Sequence, residues 1–218
     1  GPSIRRRFLN LEGSRLNPLY FKDLKDYQRA LLQRNYLLKD KRLDRNPGKY
    51  LEPWDKAISS LGSSIILARL ELVKALEQEA KLFFRKITGT MEELTLSYLS
   101  TVKLGDSPAA VEDNFLKALA LKRESELKRG STMIGPHLDD LKVLINGHDS
   151  RHYSSQGQKR TAALALKMAE INLFCLQNEA SPIILLDDVF SEFDNNRKQH
   201  LLNFLQDIGG QCFISSAA

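Results

Sequence analysis

Ile183-Ile184-Leu185-Leu186 is followed at once by Asp187 and Asp188, a short apolar run closed by two carboxylates. Four such residues suit a β-strand buried on both faces, as in a sheet covered by helices. The carboxylates then fall at the carboxyl end of the strand, the edge at which open α/β sheets bind ligands. Adjacent aspartates repel one another unless a cation, a base or a salt bridge uses them. A divalent ion is an economical partner for the pair, and magnesium fits better than zinc. The competing reading is structural: one aspartate caps the next helix while the other pairs with a lysine.

The flanking sequence repeats this α/β texture. A helix is expected from Gln158 to about Gln177, the strand from Ile183 to Leu186, a helix from Asn195 to Gln206 and a strand from Cys212 to Ile214. That alternation predicts an α/β fold with a largely parallel sheet covered by helices. Upstream, "LKVLING" reads as a strand ending in an Asn-Gly turn, with a possible partner strand in "HDSRHYS".

The first part of the chain reads differently. Tyr20, Leu24, Tyr27, Leu31 and Leu38 fall four, three, four and seven apart, the seam of a helix packed lengthwise on another, and Arg34 interrupts it. Asn46-Pro47-Gly48 and Pro53 turn the chain. Trp54, Ile58, Leu61, Ile65, Ala68 and Leu72 then repeat the spacing, so an antiparallel helical hairpin is expected over about 17–86. A short strand follows within 93–102. Ser107-Pro108 opens a charged helix that ends near Gly130. The division expected is a helical arm over 1–130 and an α/β portion over 131–218.

With 42% hydrophobic residues in 218, the chain can bury a real core. Its 32 Lys and Arg against 27 Asp and Glu permit nucleic acid as a partner without requiring it. Cys175 and Cys212 lack CxxC spacing and read as buried thiols of a reducing compartment, with no zinc. No apolar run reaches the length of a membrane span, and the first residues lack the apolar stretch of a signal peptide, so a cytoplasmic location is expected.

Two motifs taken together carry a resemblance. Ser155-Gln156-Gly157-Gln158 opens the alanine-rich helix, and about 30 residues later the strand ends in Asp187-Asp188, followed by Ser191-Glu192-Phe193-Asp194. The set resembles the signature motif, Walker B segment and D-loop of ABC-type ATPases. With "RRRFLN", "YQRALLQRN" and "MIGPHLDD" added, the wording is most similar to the RecF family of recombination mediators, relatives of the SMC proteins. The resemblance extends over most of the chain and implies a partial ABC-type ATPase head with an inserted helical arm.

Position by position, the resemblance makes Asp187 the magnesium ligand and Asp188 the residue that polarises the attacking water. Ser155, Gln156, Gly157 and Gln158 would face the γ-phosphate of ATP bound by a second subunit, and Asp194 would lie at the same interface. Arg5, Arg6, Arg7, Lys159 and Arg160 could serve the DNA backbone, with internal ion pairs the competing reading for Arg5 to Arg7. Leu138 stands where the family pattern has arginine, and Ser216 where many ABC proteins place a histidine. No pair of glycines flanks four residues before Lys-Ser or Lys-Thr, so the chain is expected to be a fragment that neither binds ATP tightly nor hydrolyses it alone.

For the intact protein the resemblance implies an ATP- and DNA-binding ATPase of DNA repair, recombination, replication and the SOS response. As an ATP-dependent homodimer it would help load recombinase at single-strand gaps, act at single-strand to double-strand junctions, and work with RecR and RecO. Two other readings remain on residue evidence: a helical-hairpin module that binds a protein partner, and a metal-dependent nuclease or phosphatase built on Asp187 and Asp188.

Overall fold

The computed structural model of the chain describes residues 1–40, 47–89, 92–178, 182–187 and 195–215. The elements run α1 (Pro2–Leu16), α2 (Pro18–Lys39), α3 (Pro47–Thr88), β1 (Leu94–Leu99), α4 (Pro108–Arg129), β2 (Asp140–Ile145), β3 (His148–Asp149), α5 (Ser150–Tyr153), α6 (Gln156–Asn178), β4 (Ile184–Asp187), α7 (Asn195–Ile208) and β5 (Cys212–Ser215). They form two compact units, each discontinuous in sequence: Gly1–Leu72 with Tyr98–Leu141, and Val73–Ser97 with Lys142–Ala218. This division differs from a single cut after residue 130 over 73–97 and 131–141, because α3, β1 and β2 each run from one unit into the other.

In the first unit, Asn17 ends α1 and caps α2, its side chain accepting from the amides of Leu19 at 2.9 Å and Tyr20 at 3.3 Å. The α2 helix lies antiparallel to the first part of α3, as the bonds Tyr20 to Arg69, Asp23 to Ser64 and Arg34 to Asp55 record. The expected hairpin is therefore present, but its second helix begins at Pro47, and Pro53 lies inside it rather than breaking it. Pro53 is exposed and stands at the seventh position of α3, so its missing amide removes one helical bond in the second turn.

The seam also differs from its expected form. Tyr20, Tyr27 and Leu38 are buried, whereas Leu24 and Leu31 are only half-buried. Arg34, the residue that interrupts the apolar spacing, is 0% exposed. Its Nε donates to Asp55 at 2.7 Å, its Nη1 donates to the Thr132 hydroxyl at 2.9 Å, and its Nη2 lies 2.7 Å from a Glu126 oxygen. Arg123 reaches the other Asp55 oxygen at 2.6 Å, and the other Glu126 oxygen accepts from the Met133 amide at 2.7 Å. A cation can sit at this depth because two carboxylates surround it.

The α4 helix follows its sequence signals. Ser107 Oγ accepts from the Ala110 amide at 3.2 Å, Pro108 takes the first helical position, and Gly130 closes the helix in the left-handed region. It buries Val111, Phe115 and Leu119.

In the second unit, Leu76, Ala80, Phe84 and Ile87 of α3, Ala165, Met168 and Ala169 of α6, and Leu201 and Phe204 of α7 are buried. Phe83 meets Phe204 edge to face at 4.8 Å between centroids. One sheet has the order β1-β2-β3, and β2 turns into β3 through Asn146 and Gly147, both at positive φ. The other sheet pairs β4 with β5 in parallel, with α7 between them in sequence. Among the described residues the expected parallel sheet is this two-stranded βαβ unit.

Ile184 is 7% exposed but Ile183 and Leu185 are 65% and 74% exposed, so β4 is buried on one face and not on both. Cys175 and Cys212 are free thiols and half-buried rather than buried, with burial pushing both upward in pKa. No helix among the described residues is long and apolar enough to cross a membrane.

Replacing Arg34 with Met leaves Glu126 without its cation and Asp55 with one cation fewer, and should cost roughly 3–5 kcal/mol. Leu31→Ala should cost less than the roughly 2–5 kcal/mol of a fully buried leucine. Urea unfolding of the two variants beside the parent chain checks the order, and equal losses would contradict it.

Candidate functional site

Ser155 and Gln158 cap each other at the start of α6. Ser155 Oγ accepts from the Gln158 amide at 3.2 Å, and Gln158 Oε1 accepts from the Ser155 amide at 2.8 Å. This reciprocal arrangement satisfies two of the donors that a helix start leaves over. Gln158 is held further by its Nε2, which donates to Glu92 at 2.6 Å. Gln156 is exposed, and a Cβ placed on the half-buried Gly157 would meet nothing closer than the Arg197 guanidinium at 3.8 Å. Positive helix-dipole charge and the amides of this first turn suit an anion. Lys159 and Arg160 follow on the same turn, half-buried and exposed respectively.

Asp187 ends β4 and is exposed. It pairs in register with Ser215 of β5, whose Oγ donates to Asp187 Oδ1 at 2.5 Å. One carboxylate oxygen is thus oriented by the neighbouring strand, and the other suits a hard cation or a water bound to one. Asp188, Ser191 to Asp194 and Ser216 lie outside the described residues.

In the first unit the three consecutive arginines of α1 separate. Arg5 makes a two-pronged ion pair with Asp140, Nε to Oδ1 at 2.8 Å and Nη2 to Oδ2 at 2.6 Å, so for this residue the internal pair prevails. Arg6 donates to the Asp139 backbone oxygen at 3.1 Å. Arg7 is exposed and has no ion-pair partner among the described residues.

Both aspartates belong to the turn Met133 to Asp140. Its Gly135 has φ 119°, and a Cβ there would come within 2.5 Å of the Tyr27 hydroxyl and 2.7 Å of the Phe115 ring. Only glycine fits. His137 Nδ1 accepts from the Tyr27 hydroxyl at 2.8 Å, which leaves Nε2 to donate to the Thr132 carbonyl at 3.4 Å. Burial lowers its pKa to about 4, helped by Arg6, Arg34 and Arg69 and opposed by the Thr132 bond. Asp139 accepts from Tyr98 Oη at 2.5 Å and from the Thr101 amide and hydroxyl at 2.7 Å each. Burial raises its carboxyl, and these bonds oppose the rise.

No family model matches the chain. The DNA replication and repair protein RecF of Acetivibrio thermocellus is 40% identical over 217 residues, which cover 99% of this chain and 58% of that protein. A solved structure of the recombination mediator protein RecF with ATP, of the RecFOR pathway, superposes with a TM-score of 0.89 at 38% identity over the whole chain and 58% of its own. Over its whole length the chain is similar to part of RecF. It spans somewhat more than half the length of these relatives. An Smc head domain from Pyrococcus furiosus, at 13% identity and a TM-score of 0.51, shares the fold. The fold is that of a partial ABC ATPase head carrying a helical arm.

The sequence singles out Ser155 to Gln158, Asp187 and the segment Met133 to Asp140, but not what that turn touches. Asn10, Tyr27 and Arg69 were missed as members of that site. Tyr27 sits at a position that periodicity alone assigns to helix packing, and Arg69 falls outside the apolar spacing of its helix. Leu138, the departure from the RecF pattern, is exposed.

His137 makes this turn acid-sensitive. Its folded pKa lies below the ordinary value of 6.5, so the unfolded chain binds the proton first as pH falls. The stabilisation is complete above pH 6.5, is lost on descending towards pH 4, and changes no further below that. Between pH 7.5 and 5 the loss should be on the order of 2 kcal/mol. Urea unfolding at both pH values checks it, and His137→Asn should remove this part of the slope.

Proposed function

We propose that this chain is the arm and C-terminal head portion of a DNA repair and recombination ATPase. The intact protein binds ATP and DNA, dimerises on ATP and helps load recombinase at single-strand gaps together with RecO- and RecR-type partners. The observation that carries the reading is the reciprocal Ser155–Gln158 cap, which fixes the conformation of the first turn of α6 with Gln156 and Gly157 between the two capped residues. Support also comes from Asp187 at the carboxyl end of β4, its exposed carboxylate oriented by Ser215.

In this reading Asp187 holds magnesium through water. Asp188 takes the general-base position beside it, accepting the proton of the attacking water. Ser155, Gln156, Gly157 and Gln158 face the γ-phosphate of a nucleotide held by a second copy, and Asp194 lies at the same interface. ATP supplies the phosphoryl group whose transfer to water ends the dimeric state. Lys159 and Arg160, together with Arg6 and Arg7, serve DNA phosphates, and the protein acts in the cytoplasm during replication and the SOS response.

Opposite phenotypes follow from these roles. In the full-length protein Ser155→Arg should leave ATP binding by the monomer intact and abolish ATP-driven dimerisation, because the arginine fills the space for the partner's γ-phosphate. Asp188→Asn should let the dimer form and persist by slowing activation of the water. Sedimentation with and without ATP reads both, and a Ser155 variant that dimerises normally would refute the assignment. The 218-residue chain alone should show no magnesium-dependent ATP turnover.

A further inference from the structure

A cavity of about 260 Å³ opens in the first unit between α1, α2, α3 and the turn that contains His137. Arg6, Arg7 and Asn10 come from α1, Gln28 from α2, Arg69 from α3 and His137 from the turn, and no carboxylate is among its lining residues. The balance of charge is lopsided. Arg5, one residue away, is neutralised by Asp140, but Arg6 is bonded only to a neutral carbonyl and Arg7 to no carboxylate among the described residues. The buried Arg69 adds positive charge from beneath, its donors already taken by Tyr20, Tyr98, Pro136 and Asn10. Arg69 therefore contributes field, while Arg6 and Arg7 contribute donors.

The neutral groups point to the same ligand. Asn10 Oδ1 accepts from Arg69 at 2.7 Å and from Tyr20 at 3.1 Å, so what its amide can still offer is the Nδ2 donor. Gln28 is exposed at the rim and carries another amide. Two guanidinium groups and two amides exceed what one carboxylate can accept. They suit the several oxygens of a tetrahedral anion, with which arginine forms paired, charge-assisted bonds.

We propose that this cavity is a phosphate site, and that a backbone phosphate of bound DNA occupies it. The step from phosphate to DNA rests on the function proposed above; the phosphate site itself does not. Such a contact positions the nucleic acid and carries no base specificity. It would seat DNA on the unit that carries α1, α2 and the first part of α3.

Two measurements on the 218-residue protein separate the parts. Titration with inorganic phosphate, followed by the His137 ring resonances in a histidine-labelled sample, should give a saturable shift that is lost in Arg7→Gln and Arg6→Gln and kept in Arg7→Lys. An unmoved His137, a shift that survives both glutamine variants, or stronger displacement by a poly-glutamate peptide than by phosphate would overturn the site. DNA binding, measured on a duplex with a single-stranded overhang over a range of salt, should weaken about tenfold in Arg7→Gln, with the salt slope reduced by about one.

Arg7 is exposed, so its variant keeps the fold, and circular dichroism checks this. Phosphate binding with DNA affinity unchanged in Arg7→Gln would overturn the DNA occupant. Phosphate binding by a protein that fails to bind DNA at all would support the site as one for a free phosphate group and overturn the DNA reading instead.

Discussion

An arginine that is 1% exposed dictates how the first unit is assembled. A guanidinium out of water must have its donors satisfied, because the penalty for a buried unpaired charge exceeds what packing can return. Arg69 satisfies them with Tyr20 from α2, Asn10 from α1, and Tyr98 and Pro136 from the segment 98–141. Tyr98 then donates to Asp139, which completes a chain from cation through hydroxyl to carboxylate. Each partner belongs to a different stretch of sequence, so the network closes only when α1, α2, α3 and the turn are all in place. Arg34 does the same further along α2 with Asp55, Thr132 and Glu126. Two buried cations thus make the arrangement specific, since a slipped register would strand a charge.

The candidate chemistry depends on these constraints to different degrees. The Met133 to Asp140 turn is held from three sides, by Arg69 on Pro136, by Thr101 on Asp139 and by Arg5 on Asp140. It can therefore present His137 and shape the wall of an electropositive cavity. The loop that opens α6 in the second unit is simpler, with Ser155 and Gln158 three residues apart closing on one another. Its geometry is local, and Glu92 adds one anchor from the segment before β1. Asp187 is intermediate, set by strand register against Ser215.

Legibility in the sequence follows the same gradient. The caps of α4, the Asn146-Gly147 hairpin turn and the start of α6 were readable because each rests on residues within four positions of one another. The helical hairpin was readable because its spacing repeats. The interior of that hairpin was not: Leu31 fits the apolar seam and is half-buried, while Arg34 breaks it and is buried completely. Periodicity ranks residues by their cost of desolvation, and that cost is offset once Asp55 and Glu126 arrive from α3 and α4. Likewise β4 reads as a strand buried on both faces, yet Ile183 and Leu185 are exposed.

By itself, the sequence determined the caps of α4, the turn between β2 and β3, the βαβ order of the second unit and the motifs by which the chain resembles RecF, because those depend on dihedral preference, capping and local charge. Only the tertiary structure decided which charges are spent. Arg5, Arg6 and Arg7 are identical residues in a row, but Asp140 lies 135 positions from Arg5 and neutralises that one alone. Ion pairing depends on distance in space, and no local pattern in an arginine triplet carries that distance.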